Sequence, residues 1–517
     1  MAVCIVATGC TVLGPDFTPA ERPTLPPQWS VDDTSADQET IANWWQRFND
    51  PVLTTLIEQG AAQNLSLQAA GLRIVQARAA LGISDALTLP QQQQLNANLS
   101  EVYRKEDWST SAGVSFDAAW EIDLWGKYAR GIESAEATLY ASVASYRNVL
   151  VSVSAEIARN YINYRTAEER IFLSQQNIAI QQRVVDMTQV QFEAGNVTEL
   201  DVQQARTQLY ATQSSLPLLN ITRIQARNAL AVLLGTTHEN VDALLRQKEQ
   251  RALADFNRPL NATLRANVTA QDYVRLSVIP VPPELDTRVN AQLVMRRPDL
   301  QVAELQARAQ SARIGLTQAQ LYPSFFLLGS AGLAQSVASG DSFSASEALT
   351  ANIGPGLSWN VFNYGRIKNQ VRIEDARFQE SLVNYNDRVL RAINEVTTAL
   401  ESYRYSREKS RYDSAGVEAS IRAFNISANQ YNNGLVTYQR LLSTVEKMTV
   451  REDAYAQTRG NIANQVVTLY KALGGGWEPF QDAAIVNSAT VEQMKARTDW
   501  GNQLDSNEQV TGADRGE

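Results

Sequence analysis

Residues able to do covalent or metal chemistry are few in this chain. Its 517 residues include one histidine, His238, and two cysteines, Cys4 and Cys10. A structural Cys/His metal site draws on four such ligands, so it cannot be assembled within one chain from these three. WGKY and YGRI each set a glycine beside a basic residue but lack the flanking glycines of a phosphate cradle. A nucleophile elbow is likewise missing. Only Cys10 has a chemical context. It closes the run MAVCIVATGC, apolar and then small, which reads as the end of a bacterial lipoprotein signal with Cys10 as the acylated residue. That run has no basic start, and Ala7 stands where such signals usually carry leucine. His238, in LGTTHEN, reads as a solvated loop residue. The formal net charge of −9 speaks against nucleic acid as a partner. No run of 18 apolar residues is present, so no helix is expected to cross a bilayer.

The positioning elements come from a duplication. FEAGNVTELDV begins at Phe192 and is echoed by YNNGLVTYQRL from Tyr431, 239 residues later. Trp125-Gly126 and Tyr364-Gly365 keep that offset, as do Leu234-Gly235 and Leu473-Gly474. Pro90 and Pro323 are 233 apart, so the second copy has about six more residues before Gly365. Equal spacing of unlike landmarks marks two copies of one unit, 50–235 and 284–474.

Each copy carries a long heptad stripe. Val143, Leu150, Ile157, Tyr164, Ile171, Ile178, Val185 and Phe192 are all apolar or aromatic. Shifted by 239, the stripe reads Leu382, Val389, Val396, Tyr403, Ser410, Val417, Phe424 and Tyr431. A straight helix drifts about 20° per heptad, so a stripe held this long predicts left-handed supercoiling against neighbours. The spacing predicts long helices over 126–194 and 365–433, each roughly 100 Å in length, and return helices over 198–234 and 437–473. Pro217 should kink or break the first return helix. Gly195 and Gly434 suit the left-handed residue that ends a helix. Thr198 and Thr437 suit the following N-cap, with Thr198-x-x-Asp201 reading as a capping box.

Before each long helix the period changes to two. Val114, Phe116, Ala118, Trp120 and Ile122 alternate with Ser115, Asp117, Ala119 and Glu121, and Leu95, Ala97 and Leu99 alternate with Asn96 and Asn98. Strands are expected at about 94–105, 112–124, 324–334 and 353–362. Such strands suit a soluble sheet or a transmembrane barrel. Four cannot close a barrel, since the smallest have about eight, so closure would take several chains. The remaining segments are a residual signal at 1–9, an extended stretch at 10–49, a linker at 236–283 and a polar tail at 475–517. Trp29, Trp44 and Trp45 are expected to pack the N-terminal stretch on the helices.

These stretches resemble the outer membrane factors, the TolC-like export ducts, and among them the NodT/OprM-like lipoproteins. CTVLGPDFTP, WWQRFNDPVLTTLIEQGAAQNLSLQAAGLRIVQARA, WEIDLWGKYARGIESAEA, FEAGNVTELDVQQARTQL, VPPELDTRVNAQLVMRRPDLQVAELQARAQSARIG, LSWNVFNYGRIKNQVRIEDA and YNNGLVTYQRLLSTVEK carry the likeness over about 10–480. The resemblance implies a mainly α chain with a transmembrane β portion. Three chains would form a twelve-stranded β-barrel continuous with a twelve-helix α-barrel. It implies a homotrimer in the outer membrane, contacting its lipids, lipid-anchored at Cys10 and reaching into the periplasm. The partners would be a periplasmic adaptor and an inner-membrane pump of the RND type, with no cofactor, no metal and no catalysis. A type I secretion duct and a non-channel lipoprotein coiled-coil scaffold are the alternatives.

The resemblance also assigns roles at the helical tips. Asp201, Glu199 and Tyr431 fall where relatives narrow the periplasmic entrance, although helix capping accounts equally for Asp201. Arg440 and Ser443 stand where relatives commonly carry acids. Arg440 is therefore expected to pair with Asp201 or Glu199 across tips. Gly195, Thr198, Gly434 and Thr437 are the expected adaptor contacts.

Overall fold

The computed structural model describes residues 12–19, 41–104, 107–246, 270–275, 277–285, 294–338 and 344–504. Cys4, Cys10 and Trp29 lie outside the described residues. Helix α1 spans Pro51–Gln63 and α2 Leu65–Ala86. Strands β1 (Gln92–Arg104) and β2 (Asp107–Ile122) follow. Then come the long helix α3, Lys127–Glu193, and its return α4, Glu199–Leu233. The second copy repeats this order: α5 (Pro298–Ala319), β3 (Ser324–Ala338), β4 (Leu349–Ser358), α6 (Arg366–Asn432) and α7 (Tyr438–Ala472). A last helix, α8, spans Ser488–Arg497.

Helices α3 and α6 have 67 residues each, roughly 100 Å at the usual rise. Their heptad stripes point inward. Leu150, Ile157, Tyr164, Ile171 and Val185 are buried in α3, as are Val389, Val396, Tyr403, Val417 and Phe424 in α6. The four long helices form a layer in the order α4-α3-α7-α6. Helix α5 wedges between α3 and α6, while α2 lies on α3 alone of the long helices among the principal contacts. Helix α4 continues through Pro217 without a break. The imino nitrogen gives nothing to the carbonyl four residues back, and the Ser214 and Ser215 hydroxyls bond nearby carbonyls at Ala211 and Thr212 instead.

The sheet is an antiparallel meander in the order β1-β2-β3-β4, the same sense as the helix layer. Its register sets Leu95 opposite Phe116, Phe116 opposite Ala331 and Ala331 opposite Ala351. Strand β4 stops at Ser358, short of the expected 362, because its partner β3 begins at Ser324, opposite Ser358. Trp359 and Val361 thus lie beyond the strand. A device is repeated at the base of the sheet: Trp120 Nε1 donates to the Thr88 carbonyl and Trp359 Nε1 to the Leu321 carbonyl, both at 3.0 Å.

Chain ends pack around the middle of the helices. Trp44 stacks on Tyr470 at 5.5 Å and Trp45 on Phe480 at 5.8 Å, burying both indoles in the largest apolar cluster. Residues 475–517 depart from the expected polar tail in their described part. The backbone at Ile485 presses onto Gly71 so closely that a Cβ there would overlap it, and Arg78 donates to the Gln503 carbonyl at 3.0 Å. Helix α8 buries Met494. His238 is exposed in the first turn of a short helix, 238–246, rather than in a loop.

Candidate functional site: the helical tips and the seam between hairpins

Both hairpin tips use one backbone solution. Gly195 and Gly434 hold φ of 75° and 71°. Asn196 N–H returns to the Gln191 carbonyl at 2.9 Å, and Leu435 N–H to the Gln430 carbonyl at 2.8 Å, closing Schellman motifs that satisfy the last carbonyls of α3 and α6. Nothing lies within 4 Å of a Cβ placed on either glycine, so each tip is open. Gly195, Thr198, Gly434 and Thr437 are all exposed.

The caps then diverge. Asp201 Oδ2 accepts from Thr198 N–H at 2.9 Å and from its hydroxyl at 2.8 Å. That carboxylate anchors the first turn of α4. One repeat later the residue is Arg440, which cannot accept a hydrogen bond, and Thr437 makes no side-chain cap bond. The expected Thr437 cap is therefore not formed, for want of an acidic partner at 440. Within one chain no ion pair joins Arg440 to Asp201 or Glu199 among the described residues. Glu199 and Arg440 are exposed and Ser443 half-buried.

Tyr431 sits inside the tip rather than on it. Its ring meets Tyr438 edge-on at 6.2 Å. Both hydroxyls turn toward Thr188, a fully buried residue of α3 whose own hydroxyl donates to the Val184 carbonyl at 2.7 Å. Neither phenol closes a hydrogen bond of normal geometry. Burial is the main cause that pushes both phenols above their ordinary range, and the nearby Asp201 carboxylate adds to it. Tyr438 and Thr188 were not legible as site residues. Thr188 does belong to a polar heptad, Ser174, Gln181 and Thr188, which runs beside the apolar stripe.

Gln181 and Thr188 of that heptad lie on the seam between the two hairpins, α3 against α7, whereas Ser174 meets Ser215 of α4 at 3.4 Å. Gln181 reaches Thr449 at 3.4 Å and Asn177 donates to Glu452 at 2.9 Å. Arg170 forks onto Asp453 at 2.7 and 3.0 Å and reaches Gln457 at 2.7 Å. Asn464 meets Asn163 at 2.8 Å. Deeper in, Tyr273 hydrogen-bonds Glu452, and Arg459 pairs with Glu169 while donating to the Tyr273 carbonyl at 2.8 Å. Tyr273 and Ser277, which hydrogen-bonds Glu169, are thus pinned across the seam by buried polar groups.

At the other end the sheet shows one apolar face and one polar face. Leu95, Leu99, Val114, Phe116, Trp120, Leu333, Leu349, Ile353 and Leu357 are exposed. On the opposite side Asn96 donates to Asp117 at 2.7 Å and Ser115 to the same carboxylate at 3.0 Å. Aromatics bound the apolar band, with Tyr103 and Trp108 at one end and Trp120 and Trp359 at the other. From Trp108 to Trp120 the strand rises roughly 30 Å at a barrel-like tilt, the thickness of a hydrocarbon core. A soluble sheet would cover that face.

A sequence model of the family described as outer membrane efflux protein matches residues 56–236 and 290–475, one match for each repeat. The chain belongs to this family. As an outer membrane efflux protein it is 27% identical to nodulation protein T of Rhizobium leguminosarum bv. trifolii over 488 residues, 93% of this chain and 97% of that one. It is 26% identical to the cation efflux system protein CusC of Escherichia coli O6:H1 over 487 residues, 92% of this chain and 98% of the relative. Its fold matches the outer-membrane channel OprN with a TM-score of 0.74 at 27% identity, covering 92% of this efflux protein and all of that channel.

Proposed function

We propose that this efflux protein is the exit duct of a tripartite pump, a homotrimer that passes substrates passively from a periplasmic adaptor and an inner-membrane transporter to the exterior. The observation that carries the reading is the shared order of the two layers. The sheet ends in unpaired β1 and β4, and the helix layer ends in α4 and α6 at the matching edges. Three copies joined edge to edge give twelve strands with no open edge and twelve helices in register beneath them. The apolar face then meets lipid and the Asn96/Asp117 face lines an aqueous lumen.

The gate is placed at the tips. Toward the tips the α3–α7 seam carries polar pairs, Arg170–Asp453 and Asn177–Glu452, whereas the intra-hairpin seams there are mainly apolar. Water can replace hydrogen bonds lost along a polar seam, so the second hairpin moves against the first at lower cost than the hairpins unzip. Asp201, Glu199, Ser443 and Arg440 form the constriction, with Tyr431 packed behind them and Arg440 pairing to the acids of a neighbouring tip. The exposed Gly195, Thr198, Gly434 and Thr437 offer the adaptor a low-relief rim, and Cys10 carries the lipid anchor.

Purified in detergent, the protein is expected to have the mass of a trimer and to give low, step-like conductance in planar bilayers. Arg440→Ala should raise the closed-state leak. A monomeric, non-conducting protein overturns the duct, and an unchanged leak overturns the role of Arg440.

A further inference from the structure

Inside one chain, the two repeats meet just below the sheet in a fully described junction. Trp125 Nε1 donates to the Pro323 carbonyl at 2.7 Å, and its ring packs on Tyr322 at 4.9 Å. Gly131 faces Leu316, and Arg313 Nε reaches Ser134 Oγ at 3.4 Å. These contacts join α3 of the first repeat to α5 of the second.

Every one of these positions has a counterpart one repeat away. At the 239-residue offset Trp125 corresponds to Tyr364 and Ser134 to Ile373. At the 233-residue offset Leu316 corresponds to Ile83, Tyr322 to Leu89 and Pro323 to Pro90. The counterparts lie on opposite edges of the chain, on α6 and its entry and on α2 and its exit, and are left bare. Tyr364 is 100% exposed, Ile83 66%, Leu89 63% and Ile373 45%. Tyr364 also holds a φ of 49°, a left-handed conformation that costs an aromatic residue energy and is kept only where the surroundings impose it.

We infer that Tyr364 of one protomer docks on Leu89 and Pro90 of the next, as Trp125 docks on Tyr322 and Pro323 within the chain. The phenol hydroxyl takes the part of the indole N–H and donates to the Pro90 carbonyl. Ile373 packs against Ile83 below it. The occupant of this surface is a second copy of the chain, and its complementarity comes from the repeat itself. The same superposition accounts for the early end of β4. The residues equivalent to 359–361 on β2 are Trp120 to Ile122, and they are strand because they pair with Phe325 to Leu327 of β3. Ala119 faces Gln92 and its counterpart Ser358 faces Ser324, so the equivalents of those partners are Gln93 to Leu95 of β1, which within one chain sit at the far edge of the sheet. Trp359–Val361 therefore complete β4 against Gln93–Leu95 of the next protomer, with Trp359 opposite Leu95 on the apolar face. The boundary between protomers and the boundary between repeats become copies of one joint, which makes the ring pseudo-sixfold at the level where barrel meets helices.

The inference rests on the trimer reading, and its test separates the two. The double variant Leu89→Cys/Tyr364→Cys, treated with a short bifunctional thiol reagent in isolated outer membranes, should give covalent dimer and trimer bands on denaturing gels. The unsubstituted chain and each single variant should give none, which excludes Cys4 and Cys10 as participants. A trimeric mass in detergent without cross-linked bands overturns the Tyr364 joint alone. A monomeric mass overturns the trimer and the joint with it. If the double variant does not assemble, Ile83→Cys/Ile373→Cys probes the same boundary further down the helices and is read the same way.

Discussion

Thr166 and Gly460 mark a close approach of the two hairpins. A Cβ placed on Gly460 would overlap the Thr166 hydroxyl, which itself donates to the Ile162 carbonyl at 2.7 Å. The glycine is in mid-helix, not at a turn, so it serves the packing of α7 on α3 rather than a backbone conformation. Just above this point the seam carries the polar pairs Arg170–Asp453 and Asn177–Glu452; just below it lies the apolar cluster around Tyr161 and Val466. The pair therefore sits where polar pairing across the seam gives way to apolar packing.

Gly460→Ala should destabilise the folded chain although it adds helix propensity. The propensity gain is about 1 kcal/mol, against an overpacking cost of about 1–3 kcal/mol. A net loss on the order of 1 kcal/mol is expected, seen as a lower melting temperature of the detergent-solubilised protein. Thr166→Ala in the same chain should recover most of it. A loss that the second substitution leaves untouched would show that the close contact is not the cause.

Asp201 can be split into its two parts, cap and charge. Asp201→Ala removes the acceptor for Thr198 and should cost about 1 kcal/mol of stability. Asp201→Asn keeps an acceptor oxygen and loses only the charge. Both variants should shift the reversal potential in a salt gradient toward weaker cation preference, while only the alanine lowers the melting temperature. Unchanged selectivity in both would leave Asp201 as a cap and nothing more.

The sequence showed the long elements because their signal is repeated over many turns. Eight consecutive heptad positions from Val143 to Phe192 fall within one helix, and the 239-residue echo marks the same tip twice. Alternation from Val114 to Ile122 falls within β2. What stayed hidden was short or polar. Ile485 on Gly71 and Arg78 on Gln503 hold the C-terminal stretch through single contacts that leave no period. The seam residues Asn177, Gln181 and Thr188 are buried yet polar, so they read as a solvated face. Thr198 and Thr437 look alike in sequence, and only the acid or base three residues on separates a capped helix from an uncapped one.

Arg130 fastens residues 12–16 across the junction of the repeats. It is buried, and it donates to the carbonyls of Leu13 at 3.0 Å and Gly14 at 3.3 Å and to Asp16 at 2.8 Å. Leu13 N–H adds a bond to the Trp125 carbonyl at 3.1 Å. Arg130→Ala should free this segment at a cost of about 1–3 kcal/mol for the charge-assisted hydrogen bonds lost to the half-buried Leu13 and Gly14 carbonyls and to the exposed Asp16. Arg130→Lys, a point charge without the fork, should fall between. Limited proteolysis of the folded protein checks this: cleavage within 12–19 should be fast in the alanine variant, slower in lysine and slowest in the parent. Equal cleavage in all three would remove Arg130 as the fastener.

Glu478 offers a pH test of the packed chain end. Its carboxylate accepts from the Gly476 and Trp477 N–H groups, each at 3.1 Å, next to the buried Trp45–Phe480 stack. Burial pushes its pKa up in spite of these bonds. The folded chain therefore binds this proton more tightly than the unfolded chain does. By linkage, the stabilising contribution is complete below the unfolded pKa and is lost as pH rises through the folded one. At neutral pH the charged form is the less favourable one to bury. Glu478→Gln keeps an oxygen for both N–H groups and carries no charge, so it should raise the melting temperature at neutral pH. In acid, where the parent is protonated too, the two proteins should melt together. A gain of equal size at both pH values would assign the effect to packing instead of charge, and a gain confined to acid would reverse the sign argued here.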